Sequence, residues 1–119
     1  MRLFTALRPT DEFRAALAEL QDRVRTAGVT GRYPDPCNFH MTMAFIGEWP
    51  EDVTHVLPQV NPPFPITLSH LGYFPEAKVL WAGTEPSEHL DNLVKQVRHN
   101  LSDAGIPSDA AHRRPGFPL

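Results

Sequence analysis

Apolar residues recur at helical spacing in two segments of the chain, and start and stop signals bracket each segment. The first follows Thr10, a good N-cap residue, and ends before Gly28; the second follows Ser87 and ends before Gly105. Both patterns predict amphipathic helices, the first over residues 11–27. The apolar positions are Phe13, Ala16, Leu17, Leu20, Val24 and Ala27 in the first helix, and Leu90, Leu93, Val94, Val97, Leu101 and Ala104 in the second.

Shorter apolar runs and alternating patterns predict strands around these helices. Arg2–Leu7 is an apolar run suited to a buried strand, and residues 38–48 alternate polar and apolar positions as a half-buried strand does. Residues 64–74 and 78–84 have the pattern of two strands joined as a hairpin. A short helix is predicted over residues 51–60.

The strand and helix patterns occur twice at a constant separation. Leu3 and Leu80, Thr10 and Ser87, and Gly28 and Gly105 each lie 77 positions apart. The chain therefore reads as two copies of one strand–helix–strand unit, although two capped amphipathic helices can also share such patterning by coincidence.

The strand over residues 38–48 carries an unusual polar face. Alternation places a histidine and a hydroxyl side by side on that face and an apolar layer on the other, packed against the first helix. An imidazole exchanges a proton near neutral pH and a hydroxyl can donate to an anionic oxygen, so the pair suits phosphate chemistry. The simpler interpretation is a solvated histidine on an ordinary strand. The polar face is predicted to hold His40, Thr42 and Ala44, and the apolar face Met41, Met43 and Phe45.

Length and composition fit one globular domain over residues 1–119. Hydrophobic residues make up 41% of the chain and charged residues 21%, which is ordinary for a globular protein. The thirteen prolines cluster at 34–36, 58–65 and 107–118, as rigid connections would. No apolar run is long enough to span a membrane and no signal-peptide pattern is present, so we expect a cytoplasmic protein. Cys37 is the one cysteine and shows no feature of a reactive thiol.

Charge and histidine spacing exclude two classes of function. A formal net charge of −3 argues against broad electrostatic binding of nucleic acid, although not against contact with one terminal phosphate. The six histidines show no metal-site spacing, so neither a metal nor another cofactor is expected.

Residues 38–48 resemble the first signature of the two-histidine phosphoesterases. The branch it resembles is the LigT-like RNA 2′,3′-cyclic phosphodiesterases, also called 2′-5′ RNA ligases. The positions that carry the resemblance are Asn38, His40, Thr42 and the Gly47-Glu48 pair. Three further segments resemble that family in its order: Arg2-Leu3-Phe4, Val79-Leu80-Trp81-Ala82-Gly83 and Ala104-Gly105-Ile106-Pro107.

The resemblance implies a fold and an activity. The expected fold is α+β, with two lobes of antiparallel sheet, one helix packed on each, and a cleft between them. The first strand, the first helix and the His40 strand would form one lobe. The implied activity is metal-independent hydrolysis of a 2′,3′-cyclic phosphate at an RNA end to a 2′-phosphate, with His40 as proton donor and Thr42 holding a phosphate oxygen.

The end of the chain departs from the family pattern, because the second His-x-Thr motif is not found. Moving His40 and Thr42 forward by 77 positions leads to Phe117 and Leu119, so the last family strands are predicted to be missing. His112 is either a replacement for the second histidine or an ordinary loop residue. We expect an unprotected sheet edge, which could support a homodimer, and very poor hydrolysis.

Two other classes of function stay open at this point. The chain could be a non-catalytic or truncated relative that only binds a nucleotide phosphate. It could also be an adaptor whose His40 face binds a protein.

Overall fold

Strands and helices follow one another in the predicted order in the computed structural model, which describes residues 1–59, 64–76, 78–108 and 116–119. Two single-turn 3₁₀ helices lie at Pro36–Asn38 and Thr54–Val56. The longer elements are β1 (Arg2–Leu7), α1 (Asp11–Thr26), β2 (Met41–Glu48), β3 (Leu68–Phe74), β4 (Val79–Thr84), α2 (Glu88–Asp103) and β5 (Gly116–Pro118).

Both long helices begin with the predicted caps. The Thr10 hydroxyl accepts a hydrogen bond from the Phe13 amide at 3.3 Å, and the Ser87 hydroxyl accepts one from the Leu90 amide at 3.2 Å. Past each C-terminus the backbone turns at a glycine of positive φ, 95° at Gly28 and 74° at Gly105. The two helices are therefore capped alike at the same 77-residue offset.

Two predicted elements are shorter than expected. The helix predicted over residues 51–60 is reduced to the 3₁₀ turn Thr54–Val56, with residue 60 outside the described residues. The strand predicted from residue 64 begins at Leu68. Proline explains both differences, since Pro58 and Pro65 lack the amide hydrogen that a helix interior or a strand ladder requires.

The strands form two antiparallel sheets, one with the order β1-β2 and one with the order β3-β4-β5. In the first sheet Ala6 lies opposite Thr42, and Thr5 lies opposite Ala44. The register shifts between Thr5 and Ala6 and again between Leu3 and Phe4, so β2 contains two bulges. β2 also lies against β5, which brings the two sheets together.

One hydrophobic core covers one face of both sheets. It joins Met41 and Met43 of β2 to Ala82 of β4, Phe117 of β5 and the apolar face of α2. In each sheet the face turned away from this core is called its open face.

The helices do not stay with the strands that precede them, which corrects the predicted lobes. The helix that packs against β2 is α2, not α1. From α1, the Phe13 ring contacts Phe117 of β5, with ring centroids 5.2 Å apart. Each helix therefore reaches the sheet of the other half, and the helix spacing in the sequence could not reveal this exchange.

A short C-terminal strand completes the second sheet. β5 pairs antiparallel with β4, placing Gly83 opposite Gly116 and Ala82 opposite Phe117. The Leu119 amide continues the contact by donating to the Leu80 carbonyl at 2.9 Å. This three-residue strand is one edge of the second sheet and lies against β2, and β3 is the other edge.

Candidate active site

His40 lies immediately before β2 in a fixed orientation. The 3₁₀ turn Pro36–Asn38 leads into it, and Asp35 caps this turn by accepting a hydrogen bond from the Cys37 amide at 2.8 Å. His40 Nδ1 lies 2.8 Å from the Asn38 carbonyl oxygen. A carbonyl only accepts, so Nδ1 carries the hydrogen and donates it, and Nε2 is left as the nitrogen that exchanges protons with its surroundings.

The ring of Phe4 supports the other side of this imidazole. The two ring centroids are 5.3 Å apart, and the ring planes are inclined at 39°. Phe4 is itself 50% exposed on the open face, while His40 is half-buried. The imidazole is therefore held at two points and still reaches the surface.

Thr42 lies on the same face as His40, as the alternation predicted. It is opposite Ala6, whose small side chain leaves space above the strand, and it is half-buried. Within residues 1–59, 64–76, 78–108 and 116–119 its hydroxyl has no hydrogen-bond partner. A half-buried hydroxyl that no neighbour uses is available to an incoming acceptor.

The bulges in β2 reverse two of the predicted side-chain orientations. Ala44 was expected beside His40, but it lies opposite Thr5 on the core face and is only 2% exposed. Phe45 was expected in the core, but it lies opposite Phe4 and is half-buried, with the Arg2 guanidinium 5.6 Å from its ring centroid. An extra residue in a strand shifts the alternation by one position, so every residue beyond it changes face.

The open face of the second sheet carries an aromatic cluster that sequence reasoning missed. The Trp81 indole stacks on Phe74 with centroids 5.4 Å apart, and its edge meets the His70 ring at 5.4 Å and 81°. A methyl group at Gly72 would come within 2.1 Å of the indole, and one at Gly116 within 2.7 Å. The indole therefore lies flat on the sheet because these two positions have no side chain.

The signal for this cluster was present in the sequence as a spacing. Trp81 and Gly83 are two residues apart in one strand, and Gly72 and Phe74 are two residues apart in the partner strand. Each pair therefore shares a face, with an aromatic residue beside a glycine.

The pairing of β5 gives a second way to relate the two halves of the chain. Thr42 lies opposite Ala6 in the first sheet, and the 77-residue offset relates Ala6 to Gly83. The residue opposite Gly83 is Gly116, so by this pairing the repeat relates Gly116 to Thr42. Phe117 and Leu119, the positions expected from the offset alone, are buried at 1% and 5% exposure. His112 lies outside the described residues.

The described residues do not form a metal site. No group of three or more histidine, cysteine, aspartate or glutamate side chains in this part of the chain is placed to hold a metal ion. Cys37 is free and exposed. No helix of the described segments has the length and apolar character that crossing a bilayer requires.

Two cavities open away from His40 and Thr42. One of about 640 Å³ lies between the segment after α1 and the ends of β4 and β5, and Tyr33, Tyr73 and Leu119 contribute to its lining. The other, of about 500 Å³, lies beside the start of α1 and is lined in part by Arg8, Phe13 and Phe117. Neither cavity has a histidine in its lining, so the open face remains the candidate site.

An oriented imidazole and a hydroxyl with no partner among the described residues lie on one face of the first sheet, where such groups can give a proton and hold an anionic oxygen. Comparisons with known proteins identify the family. The family described as LigT like Phosphoesterase matches residues 7–81. The RNA 2′,3′-cyclic phosphodiesterase of Thermus thermophilus is 32% identical over 98% of this chain, and that of Thermotoga maritima is 28% identical over 89%.

Solved structures extend the likeness to the whole chain. The crystal structure of TT0787 of Thermus thermophilus has a TM-score of 0.74 at 30% identity, with 100% of this chain and 73% of that chain covered. Escherichia coli LigT in complex with 3′-AMP has the same fold, with a TM-score of 0.77 at 24% identity over 99% of this chain and 71% of LigT. The protein belongs to the LigT-like family of two-histidine phosphoesterases. It spans 62% of the length of the two curated relatives.

Proposed function

We propose that this chain acts on the 2′,3′-cyclic phosphate at the end of an RNA and opens it to a 2′-phosphate. His40 donates the proton and Thr42 holds a non-bridging phosphate oxygen. The observation that carries the proposal is the 2.8 Å hydrogen bond from His40 Nδ1 to the Asn38 carbonyl, which leaves Nε2 as the nitrogen that can carry the transferred proton.

The chemistry requires a proton at one oxygen and charge stabilisation at another. Water attacks phosphorus, the bond from phosphorus to the 3′ oxygen breaks, and protonated His40 Nε2 gives its proton to that oxygen as it leaves. The Thr42 hydroxyl donates to the non-bridging oxygen on which negative charge grows. Arg2 and Phe4, on the same face, contribute a positive charge and an apolar wall beside the reacting group.

The names of the relatives support the same substrate class. Four curated relatives are RNA 2′,3′-cyclic phosphodiesterases. LigT has been crystallised with 3′-AMP, a nucleotide with a phosphate on its ribose. This chain spans 62% of the length of two of these relatives, so their activity does not by itself establish turnover by this chain, and we propose it.

A second candidate function is binding of a nucleotide phosphate without turnover. The pairing of Gly83 with Gly116 favours it, because the position that corresponds to Thr42 then has no hydroxyl. Such a chain would hold phosphate from the first sheet alone.

Protection of His40 from chemical modification tests both candidates. Diethyl pyrocarbonate acylates exposed imidazoles, and the modified histidine can be located by peptide mass spectrometry. We expect 2′-AMP to protect His40 in the wild-type chain and adenosine, which lacks the phosphate, to give no protection. The exposed His99 is the internal control, and it should react equally in all samples. Equal modification of His40 with and without 2′-AMP would reject both candidates and favour a protein-binding role for this face.

A further inference from the structure

We propose that the ring of Phe4 stacks on the terminal nucleobase of the substrate and so fixes the nucleotide whose phosphate reaches His40 and Thr42. The inference rests on the proposed function and deepens it, because it assigns the part of the substrate for which the proton donor and the phosphate hydroxyl give no partner.

β1 turns its aromatic residue outward and a hydroxyl inward. Phe4 is 50% exposed, whereas the next residue, Thr5, is 3% exposed and donates its hydroxyl hydrogen to the Ala44 carbonyl. A phenyl ring is usually buried and a hydroxyl usually exposed, so this strand leaves its largest apolar side chain unburied. One exposed apolar residue is ordinary by itself, and the surroundings of this ring are what distinguish it.

The Phe4 ring lies beside the imidazole of the proposed proton donor. The ring centroids of Phe4 and His40 are 5.3 Å apart, and the ring planes are inclined at 39°. In the register of the first sheet, Ala6 and Thr42 form the pair that lies between Phe4 and the start of β2, which His40 precedes. The two rings therefore lean toward each other over this pair, and the exposed surface of Phe4 adjoins the place proposed for the phosphate.

The other aromatic ring of this sheet is already in use. Phe45 lies opposite Phe4, and the Arg2 guanidinium is 5.6 Å from its ring centroid. A cation at that distance is attracted to the face of the ring. Phe45 is also half-buried, whereas half of the Phe4 side chain is exposed. Of the two rings, Phe4 therefore offers the larger free surface.

The connectivity of a nucleotide brings its nucleobase close to this ring. A 2′,3′-cyclic phosphate bridges C2′ and C3′ of the ribose, and the nucleobase is attached to C1′, which is bonded to C2′. The nucleobase therefore stays within one sugar of the phosphate, and binding of the phosphate limits where it can lie. A planar nucleobase can stack on an exposed phenyl ring whatever its identity, because every nucleobase has a π face.

Stacking of this kind predicts a graded preference among nucleobases. A phenyl ring has no donor or acceptor with which to read the edge of a nucleobase, so Phe4 selects by the area of the face alone. Purines have a larger face than pyrimidines, and the wild-type chain should therefore bind 2′-AMP more tightly than 2′-UMP.

Pairing a change in Phe4 with a change in the ligand separates stacking from support of the His40 ring. Phe4→Leu keeps an apolar side chain and removes the ring, and methyl β-ribofuranoside 2-phosphate has the sugar and the phosphate without a nucleobase. Support of His40 affects both ligands alike, so the ratio of the affinities for 2′-AMP and for this base-free phosphate isolates the stacking. Isothermal titration of the full chain should show that Phe4→Leu lowers the ratio by about 5- to 150-fold, the range for one lost stack.

Two variants serve as controls. Phe4→Tyr keeps an aromatic ring at the same position, so it should retain the wild-type affinity ratio. Tyr73→Leu removes a similarly exposed ring, 56% accessible, from β3 of the second sheet, and it should leave both affinities unchanged. Urea unfolding of each variant checks that it is folded, and the comparison of ligands in the wild type requires no variant.

Each possible outcome decides the inference. An unchanged affinity ratio in Phe4→Leu would overturn it, whether both ligands bind normally or both bind more weakly. Equal affinity of the wild type for 2′-AMP and the base-free phosphate, or tighter binding of 2′-UMP than of 2′-AMP, would overturn it as well. A ratio that falls in Tyr73→Leu and not in Phe4→Leu would move the nucleobase to the second sheet. These results would leave the proposed function intact if His40→Ala lowers turnover, whereas failure of the wild type to bind 2′-AMP would reject both.

Discussion

Replacing Thr42 by Val should weaken phosphate binding without destabilising the fold. Valine keeps the branched shape and removes only the hydroxyl, which has no partner among the described residues. The free energy of unfolding should therefore change by no more than about 0.5 kcal/mol. A hydrogen bond to a charged group contributes about 1.5–3 kcal/mol, so the affinity for 2′-AMP should fall by about 10- to 150-fold.

The same substitution at Thr5 is the control for this prediction. Thr5 lies in the neighbouring strand on the core face, is 3% exposed, and donates to the Ala44 carbonyl at 3.4 Å. Thr5→Val should cost about 0.5–1.5 kcal/mol of stability and leave nucleotide affinity unchanged. Isothermal titration with 2′-AMP and urea unfolding of both variants give the comparison. Wild-type affinity in Thr42→Val, or equal weakening in both variants, would refute the role given to the Thr42 hydroxyl.

Three further predictions follow from the register, the electrostatics and the reaction. Ala44→Asp should lower the urea midpoint of unfolding far more than Phe45→Asp, because the bulge places Ala44 in the core and Phe45 on the open face. A larger loss of stability in Phe45→Asp would show instead that the strand alternates without a bulge. Hydrogen bonds from the Thr54 side chain and amide lower the pKa of Asp52. The stability that this carboxylate contributes is therefore present above its ordinary pKa and is lost as pH falls through the lowered pKa. Asp52→Asn should make the folded state less sensitive to acid in that range, and an NMR titration should find the pKa of Asp52 below its ordinary value. A chelator should leave turnover unchanged. Loss of turnover with the chelator, restored by added zinc, would contradict the proposed acid–base reaction.

Local sequence signals predicted the elements and their limits well, because caps and apolar spacing act within a few residues. Thr10 and Ser87 cap the helices as expected, and both helices end before a glycine of positive φ. The pairing of His40 with Thr42 on one face also followed from alternation, since no bulge falls between those two residues.

Features that depend on distant pairing were outside the reach of these signals. The bulges that turn Ala44 inward are set by the register with β1, and the contact of α2 with β2 is set by how the two halves pack. The Gly116 strand was missed because three residues with a proline give no alternating pattern. His70 attracted no attention because its contact with Trp81 and its place over Gly83 depend on the sheet pairing.

The proton donor is tested most directly by following 2′,3′-cyclic AMP with phosphorus NMR in the presence of the wild-type chain or His40→Ala. The resonances of the cyclic substrate, 2′-AMP and 3′-AMP are distinct, so rate and product are read together. We expect the wild type to form 2′-AMP and His40→Ala to be slower by about 10²–10⁴-fold, the range for a lost acid. Equal rates in the two proteins, or 3′-AMP as the product, would contradict it.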